Sequence, residues 1–202
     1  MHVTIRKYAG LGRLIDRLAP PVRNGLVPRL RQAPGFRGYC AFASEDGHVI
    51  SVTIFGDRQA AIRAEESVGE WTAANLKELA PDPPEITAGE TLLHEVSKVE
   101  RDGGPAMFAT IRVYDGVRPK EEVLPLVREH VFLTITGAQG FRGYYAFLDE
   151  RNASRGVSIS LFDARVRAME ANERVVSVMH ERRIAPKPPS VTAGQTAVSA
   201  AA

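Results

Sequence analysis

The 202-residue sequence has one cysteine, one tryptophan and little excess of either charge. A single cysteine, Cys40, cannot close an intrachain disulfide, so nothing demands an oxidising compartment. No apolar run approaches the ~20 residues that a membrane helix needs. The opening MHVTIRKYAG has no apolar signal core. The expectation is a cytoplasmic protein with no membrane partner. Twenty-six basic and 24 acidic residues leave a net charge of +2, too balanced to imply a nucleic-acid partner. Arg182 and Arg183, beside Glu181, form a short basic cluster that reads as a solvated helix face. No Cys/His cluster has zinc spacing. No phosphate loop, nucleophile elbow or dinucleotide fingerprint stands where a strand feeds a helix. No metal and no cofactor is expected.

What is present is a repeat. GFRGYCAF at 35–42 returns as GFRGYYAF at 140–147, 105 positions later, with only Cys40 and Tyr145 differing. VTIRKYAG (3–10) matches ATIRVYDG (109–116), and SVTIF (51–55) matches SISLF (158–162). APDPPEITAGET (80–91) matches APKPPSVTAGQT (185–196). Two tandem copies are therefore expected, at 1–98 and 107–202, with the charged, Gly/Pro-containing stretch VERDGGPA (99–106) as linker. Two copies are too few for a solenoid.

Each copy follows the same pattern. VTIRKY and ATIRVY alternate with period two and read as strands. The next segment is helical but interrupted by proline: Pro20, Pro21 and Pro28 in the first copy, Pro125 in the second. Pro119 and Gly137 mark that helix's start and end in the second copy. The repeated octapeptide opens a second strand, and VISVTIF or GVSISLF forms a third after a polar turn. Asp46-Gly47 is a hairpin signal. Asp57 and Asp163 are candidate N-caps for a second helix, on which Ala61, Ala64, Val68 and Trp71 form an apolar stripe in the first copy. A Pro-rich loop then leads to the last strand. The order β-α-β-β-α-β predicts an α+β fold of two tandem ferredoxin-like units. One such sheet has helices on one face only, so a second copy is expected to cover the other and complete an intrachain pseudo-dimeric α/β barrel.

At this point the chain resembles the antibiotic biosynthesis monooxygenase-like domains of the dimeric α/β-barrel superfamily. The resemblance rests on TIRKY/TIRVY, on the PGFRGY string from Pro34 to Tyr39, on SVTIF with an acidic helix start, and on PPEITAGE. It runs nearly end to end; Gln139 stands where the first copy has Pro34. It implies cofactor-independent oxygenation of an aromatic or quinol-like compound, with an arginine or tyrosine stabilising a substrate anion. A haem-degrading branch uses Asn, Trp and His. Here neither first strand contains Asn, and Trp71 is followed by Asn75 without a nearby His, so that activity is not carried over.

The uniformly apolar strand faces are expected to pack beneath the helices and the opposite faces to line the barrel. That gives Arg6, Tyr8, Thr53, Phe55, Arg112, Tyr114, Ser160 and Phe162 as candidate ligand contacts, with Thr4, Ser51, Thr110 and Ser158 beside them. Arg37, Tyr39, Arg142 and Tyr144 have undecided facing. Buried Arg–Tyr pairs also serve simply to cross-link sheets, and this reading is favoured for Arg6 and Arg112. Core packing is the preferred reading for Trp71 and Cys40. His94 reads as a core or edge residue, and His48, His130 and His180 as surface residues. No catalytic residue is assigned. The alternative to an oxygenase is a non-catalytic ligand-binding or structural barrel, monomeric or further associated.

Overall fold

Alternating residues build the strands, and proline shapes the helices between them. The computed structural model describes residues 1–97 and 106–202. The first half contains β1 (His2–Tyr8), α1 (Ile15–Pro21), α2 (Val27–Gln32), β2 (Phe36–Ala43), β3 (Val49–Phe55), α3 (Arg58–Leu76) and β4 (Glu85–Val96). The second contains β5 (Phe108–Asp115), α4 (Lys120–Leu126), α5 (Leu133–Thr136), β6 (Phe141–Asp149), β7 (Asn152–Phe162), α6 (Arg165–Glu181) and β8 (Ser190–Ala201). Strand hydrogen bonding runs β1-β3-β2-β8-β5-β7-β6-β4 and closes on β1, an eight-stranded antiparallel barrel. Among the described residues, no helix is long and apolar enough to cross a membrane. The linker at 99–106 lies outside the described residues except for Ala106.

Packing divides the chain within its two longest strands. One compact unit takes Met1–Glu90 with Gln195–Ala202; the other takes Met107–Gly194 with residues 91–97. The cause is visible in the pairing. β4 bonds β1 through Glu85–Glu90, then β6 through Thr91–Val96.

The prolines do not break the first helix of either half. They relax it. Backbone angles stay helical through Pro21 and Val22, and the chain widens into a π-helical turn at Val22–Leu26 before α2 resumes. The second half does the same at Val127–Phe132, two residues beyond Pro125. A proline removes one backbone donor and crowds the preceding turn, and a wider turn accommodates both effects. Gly35 and Gly140 then turn the chain into β2 and β6 at φ +82° and +78°. At Gly140 a Cβ would also fall 2.2 Å from Asp163 Oδ1, so the position requires glycine twice over.

Asp57 caps α3, accepting from the Ala60 N–H at 2.8 Å. Asp163 does not cap α6. It is drawn instead to Arg142 Nη2 at 3.1 Å and Arg167 Nη1 at 2.9 Å, and Ala164 occupies the cap position.

The expected facing of the strands is reversed. Helical residues Leu18, Val22, Leu30, Ala64, Val68 and Trp71 pack with Tyr8, Tyr39, Ala41 and Phe55, which lie on the mixed face. The uniformly apolar face, with Val3, Ile5, Val52, Ile54 and Phe42, points away from the helices and is buried nonetheless. Both faces of the sheet are buried, so alternation alone does not say which meets a helix. Polar satisfaction fits the observed facing: Arg6 pairs with Glu65 of α3 as well as Thr53, and Arg112 with Asn172 of α6 as well as Ser160.

Candidate functional site

The reversal puts Arg6, Tyr8, Ser51 and Thr53 under the helices of the first unit rather than inside the closed sheet. They line one side of a cavity of about 40 Å³, whose other side is Leu18, Val22, Leu26 and Val68. Cross-strand register explains the grouping, since Arg6 opposes Ser51 and Thr4 opposes Thr53 on β1 and β3. Tyr39 joins them from β2, where it pairs with Thr53. Arg6 Nη1 donates to Thr53 Oγ1 at 2.7 Å, and Arg6 Nη2 forms an ion pair with Glu65 of α3. Burial raises the Tyr8 phenol; the Arg6 charge opposes the shift and the Glu65 charge adds to it. Burial also pushes Tyr39 upward, against a hydrogen bond with Ser51.

The second unit builds the same arrangement on β5, β6 and β7. A cavity of about 70 Å³ lies between Tyr114, Tyr144 and Ser158 on the sheet and Val123, Val127 and Val131 on the helical segment above. Arg112 lies on the same strand face as Tyr114 and has no exposed surface. Its Nε donates to Asn172 Oδ1 at 2.7 Å, and its Nη1 donates to Ser160 Oγ at 3.0 Å. Its Nη2 and the Tyr114 hydroxyl are buried without a hydrogen-bond partner. Burial lowers the Arg112 pKa, while Tyr114 and Tyr144 act to raise it. The Tyr114 phenol is pushed up to about 12 by burial, against the effect of Arg112.

Four of the eight sequence candidates, Arg6, Tyr8, Thr53 and Tyr114, line the cavities; Arg112, Ser160, Phe55 and Phe162 do not. Phe55 meets Phe36 edge-to-face at 5.9 Å, and Phe162 meets Phe141 at 6.2 Å; neither lines the cavities. Ser160 acts through Arg112. Of the strand-two residues, Tyr39 and Tyr144 line the cavities, whereas Arg37 is exposed at a register shift and Arg142 pairs with Asp163. Trp71 is buried in the core, and His94 is exposed on β4. Asn75 is committed to the Trp71 carbonyl at 2.8 Å. Cys40 is buried and its thiol is pushed up to about 12 by burial, which suppresses the thiolate.

Sequence reasoning missed Glu65 and Asn172. A signal existed. Ala61, Glu65, Val68 and Thr72 recur at helical spacing, as do Ala168, Asn172, Val175 and Met179. A charged or amide side chain set within an apolar stripe marks a buried polar partner. Among the described residues, no group of three or more His, Cys, Asp or Glu could hold a metal ion.

Both cavities are narrow. An aromatic ring such as benzene occupies a void of ~150 Å³, so the helical segment above must shift outward for one to enter. Both segments carry a π turn at that place, Val22–Leu26 and Val127–Phe132.

No protein-family model matches the sequence, and no curated protein does. Solved structures do match. A candidate monooxygenase of Fusobacterium nucleatum superposes with a TM-score of 0.78 at 14% identity, covering 99% of this chain and 94% of that one. A candidate monooxygenase of Lactobacillus acidophilus gives 0.73 at 11% identity, covering 99% and 95%. An anthrone oxidase-like protein gives 0.65 at 11%, covering 99% and 92%. At such identities the likeness establishes the architecture alone: the chain shares the α+β barrel fold of these structures.

Proposed function

We propose that the protein is a cofactor-independent monooxygenase-like enzyme for a small aromatic or quinol-type compound. The observation that carries this reading is the pair of cavities between sheet and helix, each combining buried phenols, a nearby strand arginine, apolar walls and a π-helical roof. π turns are rare and frequently stand at functional sites. The printed names of the structural neighbours, two candidate monooxygenases and an anthrone oxidase-like protein, favour the same chemistry.

On this reading the substrate binds under a helical segment with its oxygen toward the arginine and tyrosines. Arg6 or Arg112 favours the substrate anion, which is the electron-rich form able to reduce dioxygen. For an anthrone-type substrate the balance is a ring methylene plus O₂ giving a ring carbonyl plus water. One oxygen atom enters the product; the other leaves as water with both methylene hydrogens. Dioxygen is the sole oxidant. Tyr8 and Tyr39, or Tyr114 and Tyr144, stay neutral at ordinary pH and so can donate a hydrogen bond to that oxygen.

The reading includes a duplication of one ferredoxin-like unit, with repeats at 1–98 and 107–202. The matching π turns and the equivalent Arg6 and Arg112 support this. The fused pair then serves in one chain as the barrel that single units build by association.

Oxygen uptake by the purified protein, measured with a panel of quinols and anthrones, tests the reading. Substrate-dependent uptake with carbonyl product supports it. No uptake with any member of the panel removes the oxygenase assignment.

A further inference from the structure

The two arginines differ in one respect that decides what each cavity will accept. Arg6 is neutralised within the protein by the Glu65 carboxylate. The equivalent helix position in the second half, 107 residues later, is Asn172, which accepts a hydrogen bond but carries no charge. Arg112 is thus a fully buried cation whose neighbours are an amide, a hydroxyl and two neutral phenols. One of its two terminal nitrogens, Nη2, has no partner, and neither has the buried hydroxyl of Tyr114, which lines the adjoining cavity. A buried cation without a counter-charge is costly, and so is each unpaired donor. Arg112 itself does not line the void, as Arg6 does in the first half; it stands two residues before Tyr114 on the same face of β5, and an anionic oxygen admitted beside Tyr114 as the helical segment shifts outward would answer all three deficits.

We infer that the second-half cavity is an anion site, taking a small monoanion with an apolar body, of the aryl carboxylate or phenolate kind, through Arg112 and Tyr114. The first-half cavity is closed to anions because Glu65 already occupies its arginine. The apolar body follows from the walls: Leu93, Val123, Val127, Val131 and Ile184 face the void. Glu65 is partly exposed and Arg6 is buried, so the first-half charge is met within the protein. This inference rests on the proposed reading of the cavities as ligand sites and narrows it to one half and one charge state.

The test uses 4-nitrophenol, whose neutral and ionised forms are distinguished by absorbance, and benzoate as competitor. The expected result is one bound equivalent per chain, with the bound nitrophenol ionising at lower pH than the free compound, and displacement by benzoate. Asn172→Glu supplies the missing counter-charge and is expected to weaken binding by ~10-fold or more and to cancel the pH shift. Arg112→Gln should do the same; should it fail to fold, Asn172→Glu still decides. Glu65→Gln frees Arg6 and should raise the stoichiometry to two. Binding of the neutral phenol alone, insensitive to Asn172→Glu, overturns the anion inference while leaving the cavity a ligand site. Absence of binding by both nitrophenol and benzoate overturns the inference outright. Oxygen uptake is scored separately, so an anion site without turnover sinks only the oxygenase assignment.

Discussion

Arg112 Nε donates to Asn172 Oδ1 at 2.7 Å, from the helix position that in the first half carries Glu65. The two halves hold their strand arginines in the same way but with different charge, and the first prediction follows from that. Glu65→Gln keeps an acceptor for Arg6 but removes its charge. Because Glu65 is partly exposed, solvent offsets part of the loss, and the expected cost is ~1 kcal/mol. Asn172→Glu should be neutral or stabilising in the unliganded protein. Urea unfolding of both variants checks this; equal destabilisation by both would contradict the charge asymmetry.

Gly25, in the first π turn, stands against the Trp71 indole. A Cβ at Gly25 would come within 2.8 Å of the ring. Gly25→Ala should therefore cost ~1–3 kcal/mol by overpacking. Trp71→Phe in the same chain should recover part of that loss. Thermal unfolding of the two single variants and the double variant measures the coupling, and simple additivity would show that the contact carries no energy.

Stability should decline in alkali. Cys40 rises from 9.0 to about 12 and Tyr114 from 10.0 to about 12, both because burial disfavours the charged form. Each raised group contributes stability that is complete below its unfolded value. That stability is lost as pH climbs from about 9 toward 12, where the unfolded chain ionises and the folded chain does not. Denaturant midpoints measured from pH 7 to 12 should fall across that window, and Tyr114→Phe combined with Cys40→Ala should flatten the fall. A midpoint independent of pH through 11 would contradict it.

Much of the fold was legible because its signals are local. The period-two strands, the Asp57 cap and the order of elements depend on neighbours in sequence. The facing of the strands was not legible. Val3, Ile5 and Val52 on one side and Arg6, Tyr8 and Thr53 on the other are all needed by buried surfaces, and the partner that Arg6 meets, Glu65 of α3, is 59 positions away. The candidate residues were therefore assigned to the wrong layer. Arg6, Tyr8, Thr53 and Tyr114 do line cavities, but beneath helices. Phe55 and Phe162 were grouped with them by alternation alone, although the strand carries them beyond the cavity to Phe36 and Phe141. The π turns could not be read either. Proline announces a disturbed helix without saying whether it breaks, kinks or widens.

The inner strand face supplies a direct check on that layer assignment. Phe42 has no exposed surface and lies on the face turned away from the helices. Phe42→Ala should cost ~3–5 kcal/mol and leave the anion affinity of the second cavity unchanged. A comparable loss of stability together with loss of nitrophenol binding would show that this face, and not the helix-covered one, holds the ligand.

The most direct test of the account is the position of a bound ligand. A crystal structure with 4-bromobenzoate locates the bromine by its anomalous signal. The account predicts one such peak per chain, under the Val127–Phe132 turn, with the carboxylate against Arg112 and Tyr114. A peak beside Arg6 and Glu65, or none beneath either helical segment, would contradict it.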